Sequence, residues 1–281
     1  MTYRTPDHAT ASAVLNPSGR NAARALLPFT IIAVGIGVPL LAMSTVIKPE
    51  APFMLASTLF GLALPALFLT HREGGSAAVR ALLRDCVRLP SSWWWLPLAA
   101  FVLPVATWTA GAATGGATDL TWGLASFYVQ DLIIGALVIN IWEEMAWTGF
   151  FQRRAAGRWG VVGGALVTSL FFTALHTPLA FDGVHGLREV ATNVALIAGV
   201  ATGVRLLIAR VDVWSGRSLL TVGILHSSFN ASESLLHPDY DLLRIVVTIA
   251  IGVGVLAMGD GRDQRRGPRT GPAVARRQPV G

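Results

Sequence analysis

Between residues 26 and 258 the chain is a succession of apolar runs, at 26–47, 52–70, 93–112, 131–154, 159–176, 190–209, 217–236 and 242–258. Several hold 18 or more residues with almost no charge, the length a helix rising 1.5 Å per residue needs to cross about 30 Å of hydrocarbon. In lipid the backbone must satisfy its own polar groups, so such runs can only be helices here. The expected fold is all-α: a polytopic membrane protein of about eight transmembrane helices enclosing a polar intramembrane cavity. Charged residues make up 14% of the chain, against about 25% in soluble domains.

The boundaries follow from composition. Residues 1–25 read as a cytosolic N-terminal arm, 26–258 as one transmembrane domain with its motif core at 140–232, and 259–281 as a disordered basic tail. Lys and Arg concentrate in alternate connections: the arm, the loop with Arg72, Arg80, Arg84 and Arg88, the turn with Arg153, Arg154 and Arg158, the turn with Arg210 and Arg217, and the tail. The positive-inside rule then puts both termini in the cytosol. Arginine at helical spacing over 76–89 predicts an amphipathic helix on the cytosolic surface, and Trp93, Trp94 and Trp95 an interfacial belt.

The net charge is +6, but no basic face interleaved with aromatics accompanies it. The expected partner is the lipid bilayer with its anionic headgroups rather than nucleic acid. Richness in Ala, Gly, Arg and Pro points to a bacterial cell membrane. A lone cysteine, Cys86, excludes an intramolecular disulfide and any multi-cysteine metal site.

Three polar clusters interrupt the apolar background. Glu143 and Glu144 sit inside the 131–154 run, Phe172 to His176 end the 159–176 run, and His226 to Asn230 lie inside the 217–236 run. As one straight helix, 131–154 would be about 35 Å long, with the two acids near its middle. Ionised groups at that depth cost at least a few kcal/mol unless polar partners or water meet them. His226 and Asn230, at i and i+4, share a helix face. A carboxylate, two imidazoles and an amide on three spans can meet at one cavity, where histidine offers a group that changes charge near neutral pH and asparagine a fixed oxyanion donor. Intramembrane His and Asn also serve as plain interhelical hydrogen-bonding groups. Asp131, Asn193 and Arg205 read as helix-end or interhelical partners.

Paired glutamates, then Phe-x-x-x-His, then His-x-x-x-Asn on successive spans resemble the CPBP family of CAAX-processing and bacteriocin-processing intramembrane proteases. The resemblance implies an intramembrane endopeptidase acting by glutamate-activated water on a membrane-associated, CAAX-type or other, peptide substrate. It implies Glu143 as general base, His176 as the group that holds the water, His226 and Asn230 as oxyanion donors, and Glu144 as a residue that shapes the site. No cofactor is implied. The same acids and histidines could instead be zinc ligands in a metal-dependent membrane hydrolase, although the helical His-Glu-x-x-His signature is absent.

One position departs from the family. Its first motif is usually Glu-Glu-x-x-x-Arg, and Thr148 stands where the arginine is expected. Either Glu144 is protonated, or a cation such as Arg205 reaches it from another span, or the chain is an inactive scaffold or immunity protein. Depth raises a second question. Counted from the nearest cytosolic arginines, Glu143 and His226 lie at about 14–16 Å along their helices and His176 at about 27 Å, so the 159–176 helix must tilt or begin deeper.

Overall fold

The computed structural model describes residues 24–184 and 186–263, and the expectations for the N-terminal arm and the basic tail fall almost wholly outside them. The described chain is helical, and its one β contact is an isolated bridge between Ala117 and Leu236. Helix α1 is Leu26–Val46 and α2 covers residues 51–73. A break at Gly74 and Gly75 leads into the short α3, residues 76–86. Then come α4 (Trp95–Thr114), α5 (residues 122–159), α6 (residues 161–176), α7 (Leu187–Trp214), α8 (Leu219–Ala231) and α9 (Asp241–Asp263).

Six helical stretches among the described residues are long and apolar enough to cross a membrane. The longest, Trp122–Phe181, is not one straight rod. At Gly160 the backbone takes φ 74° and ψ 172°, a conformation open to glycine and strained for any side chain. A Cβ on Gly164 would lie 2.5 Å from the amide nitrogen of Ala156, eight residues back. The chain has therefore reversed, and α5 and α6 form an antiparallel hairpin. Helix α8, with 13 residues, falls below the length of a membrane span. It lies buried among α4, α5 and α7.

The core is aromatic where α1, α5 and α6 meet. Phe29 packs on Trp147, Phe150 and Phe151 with ring centroids 5.2–5.7 Å apart, and Trp147 on Phe172 at 5.6 Å. Helix α3 buries Ala78, Leu82, Asp85 and Cys86 and exposes Arg80 and Arg84, the amphipathic pattern expected for that segment. Trp94 stacks on Trp95, and Trp95 on Trp214. Helix α9 runs to Asp263, beyond the boundary at 258 drawn from composition.

Helices α7 and α9 cross where both carry glycine. A Cβ on Gly252 would sit 2.4 Å from the carbonyl oxygen of Gly203, and one on Gly203 would sit 2.9 Å from Ile249 Cα. Small residues let membrane helices approach this closely. Gly252→Ala is expected to lower stability by about 1–3 kcal/mol through overpacking, readable as an earlier thermal transition in detergent. An unchanged transition would show that the crossing yields freely.

Candidate functional site

Glu143 and Glu144 close a short α-helical turn, Ile141–Glu144, between two wider π-helical turns, Ala136–Asn140 and Met145–Gln152. The straight α-helix assumed for 131–154 is thus corrected. Turns of this kind reset the angular register and are frequent at functional sites. The two acids emerge in very different surroundings.

Glu144 is completely buried. Its Oε2 accepts from Thr148 Oγ1 at 2.5 Å and from Arg205 Nη1 at 3.0 Å. Its Oε1 accepts from Arg205 Nη2 and from His226 Nδ1, the latter at 2.8 Å. A carboxylate has about four acceptor positions, and all of them are taken. Arg205, from α7, is equally buried and lies over the Phe172 ring at 4.7 Å. The cation from another helix that the threonine at position 148 called for is present: Arg205 reaches Glu144.

Glu143 is 9% exposed. Thr58 Oγ1 on α2 donates to its Oε1 at 3.2 Å, and its Oε2 lies 3.9 Å from His226 Nδ1. It therefore retains acceptor capacity that Glu144 has spent.

The histidine tautomers follow from their partners. An ionised carboxylate only accepts, so His226 Nδ1 carries the hydrogen it gives to Glu144. His176 Nδ1 likewise donates to the Phe172 carbonyl at 2.8 Å, which leaves Nε2 as the acceptor of the neutral ring. Phe172 stacks on His176 at 4.0 Å and tilts against His226 at 6.0 Å.

The hairpin removes the depth conflict. Glu143 lies 17 residues before Gly160 and His176 lies 16 after it, so both are about 25 Å along their helices from the reversal. The error came from treating Arg153 and Arg154 as a surface turn. Both are buried, and the helix continues past them to residue 159. Arg153 pairs with Asp85 and Asp212 rather than with Glu144.

Asn230 stands apart. It is exposed and lines a cavity of about 490 Å³ together with Phe127, Asp131, Glu233, His237 and Asp241. Glu143, His176 and His226 are not among the residues lining it. The structure therefore gathers both glutamates and His226, holds His176 beside them through Phe172, and leaves Asn230 one helical turn away facing the cavity. Asp131 lines that cavity, and Asn193 donates to the Ala180 carbonyl at 3.3 Å.

One contributor escaped the sequence: Thr58 is one small polar residue among many. Arg205, an arginine deep in an apolar run, was already a candidate cation for Glu144. No group of three or more His, Cys, Asp and Glu side chains among the described residues is arranged to hold a metal ion.

Helices long enough to cross a bilayer around buried acids and imidazoles define an integral membrane protein with a polar interior. Residues 125–232 match the family model for type II CAAX prenyl endopeptidases, Rce1-like. The match contains all three motifs, and over this segment the resemblance to the CPBP family holds. It implies a membrane protease. No curated protein matches the chain.

Proposed function

We propose that the protein is an intramembrane endopeptidase in which Glu143 activates water against a peptide bond of a membrane-associated substrate. The observation that carries this is the division of labour between adjacent acids: Glu144 is saturated by Arg205, Thr148 and His226, while Glu143 keeps a free acceptor beside His226.

In this mechanism the water gives a proton to Glu143 while its remaining O–H donates a hydrogen bond to His176 Nε2, and the resulting hydroxide adds to the scissile carbonyl. Because His226 Nδ1–H is engaged by Glu144, the resting ring is the neutral Nδ1–H tautomer. It donates to the oxyanion through Nε2 after taking up a proton there, with Glu144 and Glu143 as the neighbouring carboxylates. Asn230 adds a neutral donor from the cavity side. The tetrahedral intermediate collapses as Glu143 returns the proton to the leaving amine.

Eight crossings fit if the α5–α6 hairpin counts as two and the short α8 as one. Both termini then lie in the cytosol of a bacterial cell, in agreement with the alternation of arginine-rich connections. The substrate class is a CAAX-type or other membrane-proximal peptide. The decisive experiment compares membrane-associated peptides from cells expressing wild type or Glu143→Ala. Peptides that accumulate uncut only in the variant identify substrate and cleavage position, and identical peptide pools would end the proposal.

An inactive scaffold was suggested by the threonine at position 148, but Arg205 supplies a cation to the same carboxylate. The metal-dependent alternative is separated by chelation. Hydrolysis in detergent is expected to survive a strong chelator, and loss restored by zinc would favour the metallohydrolase.

A further inference from the structure

Arg205 lies outside every motif that led to the site, and its contacts give it a specific task. Its two terminal nitrogens grip both oxygens of Glu144, and its Nη1 is 3.4 Å from Thr148 Oγ1. Phe172, which also stacks on His176, covers the guanidinium face. With the fork in place the carboxylate plane is fixed, and Oε1 is aimed at His226 Nδ1. Without it, Thr148 and His226 would each hold one oxygen and the group could turn between them.

We propose that Arg205 is a positioning residue that acts through Glu144 to fix the ring orientation and tautomer of His226, doing from α7 what a cation on α5 itself could do from position 148. Thr148 is four residues after Glu144, and its hydroxyl already touches Oε2. An arginine there would bring its guanidinium to the same carboxylate from the same helix face. The proposal rests on the peptidase mechanism for its kinetic consequences, but not for the geometry it asserts about His226.

Three variants separate charge, orientation and location. Arg205→Lys keeps a cation but loses the planar fork. With a farnesylated fluorogenic CAAX peptide as probe, it is expected to remain folded, lose at least about tenfold in kcat and keep KM within about threefold, the pattern of an interaction made chiefly in the transition state. Arg205→Thr is expected to lose at least as much. The exchange Thr148→Arg/Arg205→Thr is expected to return kcat to within about tenfold of wild type. A folded Arg205→Lys with wild-type kcat, or a folded exchange variant as inactive as Arg205→Thr, would overturn the proposal.

A second measurement needs no substrate. Nitrogen-15 spectra of histidine-labelled protein, with His226 assigned by its absence in His226→Gln, are expected to show a single Nδ1–H tautomer in wild type and mixed tautomers in Arg205→Lys. Unchanged His226 signals in Arg205→Lys refute the positioning role even if no Arg205→Thr variant folds. A wild type that leaves the peptide uncut counts against the peptidase reading alone, and the spectra still decide the role of Arg205.

Discussion

Glu143→Gln is expected to lower peptide hydrolysis by about a thousandfold or more while the protein stays folded, since a positioned general base contributes about 10²–10⁴-fold. Glutamine is nearly isosteric, and its carbonyl oxygen can still accept from Thr58 Oγ1, as Glu143 Oε1 does at 3.2 Å. The site survives without its proton acceptor. Glu144→Ala is expected to behave in the opposite way. It strips Arg205 of its carboxylate inside a fully buried pocket, and breaking a buried pair from one side costs about 3–5 kcal/mol. Purified Glu144→Ala should therefore melt early or fail to accumulate. The double variant Glu144→Gln/Arg205→Met removes both charges and should regain stability without regaining activity. Side-by-side thermal unfolding and turnover in detergent make the comparison. Equal stability and equal residual activity for Glu143→Gln and Glu144→Ala would contradict the assignment of distinct roles to the two acids.

The second large effect lies away from the site. Arg153 is buried between Asp85 on α3, at 2.6 Å, and Asp212 on α7, at 2.8 Å, and also donates to the Arg217 carbonyl. Arg88 closes on Asp85 and Arg217 on Asp212, both at 2.6 Å. Five charges alternate in sign through the residues just after α3, α3 itself, α5, the end of α7 and the turn before α8. Asp212→Ala removes a counter-ion from two arginines at once, one of them almost wholly buried. A loss of about 3–5 kcal/mol is expected, seen as a large fall in the thermal transition. Arg88→Ala, which removes a partly exposed partner, should cost about 1 kcal/mol or less. If the two losses are equal, the network is not organised around Arg153.

Much of this was legible before any coordinates. Long apolar runs permit only helices in lipid, and the amphipathic segment shows in the spacing of Arg80, Arg84 and Arg88. The paired acids announce a polar interior because nothing else justifies them there. What stayed hidden depends on distance between helices. Arg205 could be named as a candidate cation for Glu144, but choosing it over a protonated carboxyl took the packing of α7 against α5. The burial of Arg153 and Arg154 was misjudged because arginines near a reversal resemble a membrane boundary, and only Asp85, Asp212 and Glu73 reveal them as interior partners. The π-helical turns around the acids leave no compositional trace, since they are set by neighbours rather than by local preference.

The shortness of α8 bears on how the protein is made. Its 13 residues span about 20 Å, and they include a histidine, an asparagine and two adjacent serines. Such a segment gains little by partitioning into lipid alone, and ten of its residues are shielded by protein in the finished fold. Its place in the fold is set by the neighbouring helices α4, α5 and α7 rather than by its own affinity for lipid. His226 therefore meets Glu144 only when those helices have packed around α8.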